Sequence, residues 1–351
     1  MRGLVVALAL VVAATACAAP RERPAETSAP VISAPPVQRG LVLPTWDKHG
    51  YRAPGTAGAL SGIASVGANW VQIVPTWYQV SRTTSEIQPT ASTVDDDDVR
   101  RVVELARDRG LKVLLKPHVD IADGEDRAHI SPTDRDAWFS SYHRFITHYA
   151  ELATELGVEE FAVGTELAGV SDDRQRWLGV IADIRKAYRG ELVYAANHYN
   201  YAAVSFWDAV DLIGIDAYWP LSDEPTADVE RLRRAYEVRR DALAEFAARV
   251  DRRILFTEAG FPSQRGAATA PWSGTLNQRP AQDEQAAAYE ALLATFSGQP
   301  WWAGVYFWTW SVDYARVNER DHSVWGKASQ SVLHRWWAPG LGSRAAGSAV
   351  R

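Results

Sequence analysis

A single cysteine in 351 residues excludes a disulfide within the chain and leaves no second thiol for metal binding or redox work. No stripe of lysine and arginine is visible. The 37 basic residues are outnumbered by 43 acidic ones, for a net charge of −6, which argues against nucleic acid as a partner. No apolar run is long enough to span a bilayer as a mature helix, and no unit repeats at a solenoid period. Apolar residues make up 47% and charged residues 23%, a globular balance with material for a sizeable core.

The N-terminus reads as an export signal. Met1-Arg2-Gly3 is a short positive start, and Leu4 to Ala16 is apolar but too short to span a bilayer as a mature helix. It ends in Ala14-Thr15-Ala16-Cys17, small residues directly before a cysteine, which resembles a bacterial lipobox, although Ala14 stands where leucine is commoner. The expectation is a signal peptide over 1–16, lipidation at Cys17, and a site on the outer face of the bacterial cell membrane; an ordinary secretory signal is the alternative. Residues 17–39 are rich in proline, alanine, serine and charge, and read as a disordered tether. Residues 339–351 are expected to be a flexible tail.

Between these ends, residues 40–338 alternate short apolar runs with amphipathic stretches. Strands are expected at Gly40–Leu43, Trp70–Val74, Lys112–Lys116, Glu160–Gly164, Leu192–Ala196, Leu212–Ile215, Ile254–Thr257 and Gly304–Phe307. Helices are expected at Asp95–Arg109, capped by Thr93, at Thr133–Leu156, Asp173–Tyr188, Asp228–Ala248, Gln282–Phe296 and Ala328–Trp337, with a short one near Ala202–Asp208. Eight strands alternating with helices predict an α/β fold, a single (β/α)8 barrel of the TIM type.

Two glutamates close apolar strands: Glu166 in Phe161-Ala-Val-Gly-Thr-Glu166-Leu, after the fourth, and Glu258 in Ile254-Leu-Phe-Thr-Glu258-Ala-Gly-Phe-Pro-Ser263, after the seventh. The C-terminal ends of barrel strands form the active face. Two carboxylates facing one cleft are what hydrolysis of a glycosidic bond needs; salt-bridged carboxylates stabilising the rim are the alternative. The 15 tryptophans fit such a cleft, because an aromatic face buries the apolar side of a sugar while core packing accounts for the rest. Trp46, Trp77, Trp219 and Trp272 fall at or beyond strand ends, and Trp308 and Trp310 close the eighth strand.

With these residues in place, the chain resembles the retaining clan A of barrel glycosidases. Within it, Val163-Gly-Thr-Glu166-Leu, Ile213-Gly-Ile-Asp216-Ala-Tyr218-Trp-Pro220 and Thr257-Glu258-Ala-Gly-Phe-Pro-Ser263 are similar to glycoside hydrolase family 113, known mainly for β-1,4-mannanases. The resemblance covers residues 40–338. It implies Glu166 as general acid/base and Glu258 as nucleophile, and an aromatic residue after strand eight as the floor under the reacting sugar. Glu166 must then hold a proton, through burial or the charge of Glu258. Tyr218 is placed to donate a hydrogen bond to Glu258. Many clan A enzymes carry asparagine before the acid/base, where it binds the sugar 2-hydroxyl; here that residue is Thr165, shorter and with only a hydroxyl to offer.

Further polar residues at strand ends are candidates for substrate contacts. Lys116 and His118 in Lys116-Pro-His118-Val-Asp120 can bond sugar hydroxyls, as can Asn197 and His198; Asp216 serves equally as a structural acceptor. The substrate-binding set is therefore Trp46, Lys116, His118, Thr165, Asn197, Tyr218, Trp308 and Trp310. A metal is not expected, since the strand-one end Pro44-Thr-Trp46-Asp47 lacks a histidine pair. His143 and His148 are five apart, not the four of a helical metal pair, and read as surface residues. Asp95–Asp98 reads as a solvated helix start, without the glycine and distal glutamate of a calcium loop.

The expected protein is a monomeric, surface-anchored hydrolase of β-linked polysaccharide, β-1,4-mannan or manno-oligosaccharide first, needing no cofactor. Hydrolysis or transglycosylation of another β-glycan, including cell-wall polymer, stays open. So does a non-catalytic carbohydrate-binding lipoprotein, because folds of this kind host many functions.

Overall fold

A computed structural model describes residues 37–274 and 276–338. The signal segment, Cys17 and the tail 339–351 lie outside the described residues.

Eight parallel strands close into a barrel in the order β1-β10-β9-β8-β7-β6-β4-β2. They are β1 (Gln38–Pro44), β2 (Trp70–Val74), β4 (Lys112–Leu115), β6 (Glu160–Thr165), β7 (Glu191–Asn197), β8 (Leu212–Asp216), β9 (Arg253–Ala259) and β10 (Trp302–Phe307). Each overlaps one of the eight apolar runs, so this is the (β/α)8 barrel that the alternation predicts. The first strand begins inside the stretch read as tether: Gln38 and Arg39 pair with Gly304 and Val305.

Side chains sort by strand alternation. Val42, Val74, Leu114, Ala162, Val193, Leu212, Leu255 and Ala303 fill the barrel interior with Trp70 and Tyr306. Their neighbours, such as Leu41, Leu43, Val71 and Ile73, face the helices in a second, larger core. The helices are α1 (Thr56–Ser65), α2 (Asp96–Arg107), α3 (Arg135–Leu156), α4 (Arg174–Ala187), α5 (Val229–Val250), α6 (Gln282–Phe296) and α7 (Ala328–Trp337). Among the described residues, no helix is long and apolar enough to cross a membrane.

The sequence reading missed α1, whose small residues give weak periodicity. Its Gly62 makes room for Trp310: an added Cβ would lie 2.6 Å from the indole. The segment near Ala202–Asp208 is two short 3-10 turns, Tyr201–Ala203 and Trp207–Ala209, rather than a helix. Asp95, not Thr93, stands at the start of α2; the Thr93 hydroxyl instead donates to the Thr76 carbonyl at 2.8 Å. The aspartate run is only partly solvated, because Asp98 is buried and paired with Arg52.

Two further strands, β3 (Thr76–Gln79) and β5 (His118–Ile121), form a small parallel sheet above the barrel. Pro75 follows β2, and Lys116-Pro117 follows β4. Proline has no N–H for the ladder, so each barrel strand stops there and resumes as a separate pair. That step lifts His118 and Asp120 to the level of the barrel mouth.

The opposite end of the barrel holds a buried polar trio. Tyr306 Oη donates to Gln38 Oε1 at 2.7 Å, and Gln38 Nε2 donates to Glu160 Oε2 at 2.7 Å. Glu160 Oε1 has no partner, and burial pushes this carboxyl up to about 8, with Glu191 adding to the effect. Because the folded value lies above the unfolded one, the associated stability is complete below about pH 4.5 and is lost as pH rises through about 8. Glu160→Gln is expected to flatten that decline, by on the order of a few kcal/mol between the two limits. Thermal melts of both proteins from pH 5 to 9 check this; parallel curves would refute it.

Candidate active site

The two glutamates are brought to the same mouth by strands on different sides of the barrel. Glu258 lies within β9, opposite Asp216 of β8. It is buried, and two donors hold it: Lys116 Nζ reaches Oε1 at 2.7 Å and Tyr218 Oη reaches Oε2 at 2.9 Å. An ionised carboxylate only accepts hydrogen bonds, so a cation and a hydroxyl converging on it match the charged form. Tyr218 is where the sequence reading expects it. Burial, with Glu258 and Asp216 beside it, pushes its phenol far up, so it stays a donor.

Lys116 is not a residue that meets sugar. Its side chain has no exposed surface, and its ammonium also bonds both oxygens of Asp216, at 3.0 and 3.1 Å. Burial alone would lower its pKa, but Asp216 and then Glu258 outweigh that and hold it above the ordinary lysine value. Thr257 Oγ1 donates to Asp216 at 2.7 Å. Burial and the nearby Glu258 still raise Asp216 to about 6, against the pull of Lys116. Asp216 is thus a structural acceptor that fixes the lysine, which in turn fixes Glu258.

Glu166 follows β6 directly. Gly164 of the same motif is required by packing, since a Cβ there would lie 2.8 Å from Tyr194 and 2.9 Å from Trp177. Glu166 itself has φ +55°, a left-handed conformation that costs a non-glycine residue roughly 1–3 kcal/mol and clusters at functional sites. Its Oε1 accepts from Asn197 Nδ2 at 2.9 Å, and its Oε2 lies 3.5 Å from Arg127 Nη1. Burial first, then the charges of Asp216 and Glu258, raise its carboxyl to about 8 against the pull of Arg127 and Lys116. The upward shift favours its protonated form, the form in which a carboxyl can donate a proton.

Asn197 therefore touches Glu166, with its own Oδ1 left unpartnered. Thr165 Oγ1 and His118 Nε2 are likewise buried without a partner. Arg127, which the sequence reading passed over, is the hub on this side: it bonds Asp120, His118 Nδ1 at 2.9 Å, and Glu166. It comes from a short 3-10 turn, Arg127–His129, after β5. No local pattern marks it; only the doubled proline break hints at extra structure there.

The tryptophans divide. Trp46 and Trp272 are exposed, at 47% and 55%, and Trp308 is half-buried, its ring centroid 6.0 Å from that of Trp46. Trp310 is fully buried and stacks on Trp325, so it packs the core and offers no face to a ligand. Trp219 is buried too, with its Nε1 on the His198 carbonyl. Trp77 packs on α3 against Phe145 and Tyr149, outside the mouth. Two cavities share Glu166. One of about 450 Å³ is lined by Trp46, Tyr78, Asp120 and Arg127; the other, of about 270 Å³, is lined by Asn197, His198, Tyr199, Tyr218 and Trp272. His143 and His148 are half-exposed and paired with Asp183 and Asp96. Among the described residues, no cluster of histidine, cysteine and acidic side chains is suited to a metal.

A parallel barrel with two glutamates at one mouth, one with its carboxyl raised and the other held by two donors, has the architecture of a glycoside hydrolase. The family model of Glycoside Hydrolase Family 113 matches residues 45–327, and the chain belongs to that family. It is similar to the family 113 β-mannanase of Alicyclobacillus acidocaldarius solved in complex with ManMIm, with 30% identity, TM-score 0.79, and 86% of this chain and 97% of that one covered. A second family 113 β-1,4-mannanase, also solved as a complex, gives 27% identity, TM-score 0.77, and coverage of 86% and 98%. A β-glucuronidase from Ruminococcus gnavus, 15% identical with TM-score 0.56 and coverage of 86% and 49%, shares the fold. No curated protein matches the chain.

Proposed function

We propose that this chain is a retaining β-glycosidase acting on β-1,4-mannan or manno-oligosaccharides. The observation that carries the reading is the contrast between the two glutamates: Glu166 raised to about 8, and Glu258 gripped by Lys116 and Tyr218. Glu258 attacks the anomeric carbon as the bond to the leaving oxygen breaks, and that oxygen takes the proton of Glu166. Glu166, now a carboxylate, takes a proton from water; the water oxygen attacks the anomeric carbon and frees Glu258. Trp46, Trp272 and Trp308 are the stacking faces of the cleft, and Asn197, His118 and Thr165 its polar contacts. Mannan as substrate is supported by the relatives, one described as a β-1,4-mannanase and the other as a β-mannanase. The lipobox-like Ala14-Thr15-Ala16-Cys17 supports a lipid anchor at Cys17 holding the enzyme at the outer membrane face.

The test is product release from β-mannan, glucomannan, cellulose, xylan and β-1,3-glucan, using protein that begins after Cys17. Release is expected from mannan first. Release from another glycan alone would overturn the substrate, and binding without turnover on every glycan would overturn the enzyme reading.

A further inference from the structure

Trp272 is the more exposed of the two open tryptophans at the mouth and stands on the long segment between β9 and α6. Its ring lies beside that of His198, with centroids 6.3 Å apart and 21° between the planes, on the wall of the cavity shared with Glu166 and Asn197. The residue before it, Pro271, is buried, and the Pro271 carbonyl lies 2.7 Å from Nε2 of His322. A carbonyl only accepts, so this nitrogen carries the proton and donates. His322 comes from a different part of the chain, the segment between β10 and α7, and its backbone is held firmly. Its own carbonyl accepts from Gln285 Nε2 of α6 at 3.3 Å. The carbonyl of the preceding Asp321 accepts from the Ser263 N–H at 3.0 Å and from Lys327 Nζ at 2.9 Å. The His322 ring is 8% exposed and packs over Gly260, which follows Glu258-Ala259; a Cβ added there would lie 3.4 Å from its Cδ2. The same residue lines a third cavity, of about 270 Å³, with Trp46 and Trp308. One buried imidazole thus stands between two aromatic walls of the cleft.

We propose that His322 is a positioning residue for the cleft: its Nε2–H pins the Pro271 carbonyl and so holds the Trp272 ring ready for a sugar of the bound chain. The inference rests on the proposed function in one respect, that Trp272 is a stacking face. His322 acts through Trp272, because its Nε2–H is already engaged by the carbonyl. What it contributes is order before binding. A side chain that is immobilised only as the sugar arrives costs affinity, and one already in place does not. Trp272 is 55% exposed, so the fold buries too little of its ring to fix it, and the peptide unit leading into it becomes the point of control. The donors that hold Glu258, Lys116 and Tyr218, are separate from this tie. Its loss therefore falls on substrate binding more than on the chemical step.

A double-mutant cycle on the chain beginning after Cys17 tests this, with mannohexaose as substrate. His322→Met removes the donor at similar length, and His322→Gln keeps an N–H that can reach the same carbonyl. His322→Met is expected to raise KM about two- to tenfold, the fold-change that one net hydrogen bond supplies, and to lower kcat by less. His322→Gln should recover most of that loss. In a Trp272→Ala background, His322→Met should add little, because the residue it positions is gone. A penalty of full size in that background, or a fall in kcat alone, overturns the proposal. If Trp272→Ala itself leaves KM unchanged, the stacking face fails, and with it the premise rather than the tie. The tie is also read without substrate. In protein carrying 5-fluorotryptophan, the Trp272 fluorine signal, assigned by its loss in Trp272→Phe, should move in His322→Met and return towards its place in His322→Gln. A signal unmoved in His322→Met refutes the tie. Should His322→Met fail to fold, the nitrogen-15 signals of the His322 ring in the parent protein, assigned by their loss in His322→Gln, decide: a bare Nε2 refutes the tie, and a protonated, hydrogen-bonded Nε2 supports it.

Discussion

Glu258→Ala is expected to lose roughly a thousandfold or more in kcat with the fold retained, the scale seen when one member of a catalytic unit is removed. Deletion of the side chain leaves Lys116 with Asp216 as its remaining partner and Tyr218 Oη without an acceptor, so melting should change by far less than activity. The small space opened at the nucleophile's position admits an external anion. Azide is expected to restore turnover by attacking from the side that Glu258 occupied, giving a glycosyl azide of inverted configuration. In Glu166→Ala, azide should instead attack the glycosyl-enzyme and give a product of retained configuration. The stereochemistry of the two products separates the roles, and the same configuration from both would overturn the assignment of nucleophile and acid/base.

The second large effect falls on Lys116, a residue with no exposed surface. Lys116→Met removes the cation between Asp216 and Glu258 and leaves two carboxylates in a dry site. Removing one partner of a buried ion cluster costs about 3–5 kcal/mol, and a shift of the nucleophile by an ångström can cost about a hundredfold in rate. The sign of the pH dependence follows from Asp216. Its folded value, already raised to about 6 by burial, must rise further once Lys116 no longer lowers it. Stability of the variant is then fullest below the unfolded aspartate value near pH 4 and is lost as pH rises through the raised folded value. The gap in melting temperature between the two proteins should therefore be small near pH 4 and widest near pH 8. The double variant Lys116→Met with Asp216→Asn should recover much of the stability at pH 8 without recovering activity. A gap independent of pH would mean that Lys116 acts through packing alone.

Family membership places the chain among glycoside hydrolases, but the contacts above decide how the two glutamates are told apart. The difference comes from their neighbours. Glu166 is partly buried near Asp216 and Glu258, with Asn197 as its close donor. Glu258 has a lysine and a tyrosine within 3 Å. The same residue type meets two different environments, which suits the proposed acid at one place and the proposed nucleophile at the other, by burial and charge rather than by sequence context.

What the sequence determined by itself was whatever depends on near neighbours along the chain. The eight buried strands were legible because Val/Ile/Leu runs bury both faces, and the amphipathic helices because their apolar periodicity is local. Glu166 and Glu258 were legible as strand-end residues, and so was Tyr218. Where local signals were weak or shared, the reading failed: α1 is built from small residues, and Thr93 was read as the cap of a helix that Asp95 in fact starts. Only the tertiary structure sorted the tryptophans, sending Trp310 and Trp219 into the core and Trp46, Trp272 and Trp308 to the cleft. Only it turned Lys116 from an expected sugar ligand into the buried cation between Asp216 and Glu258, because those partners lie 100 and 142 residues away. Arg127 became visible in a similar way: its contact with Glu166 exists only once β5 and β6 stand side by side at the mouth. Burial and electrostatic environment are properties of the assembled barrel. A residue's type states what it can do; which charge stands 3 Å from it is set by closure of the strands.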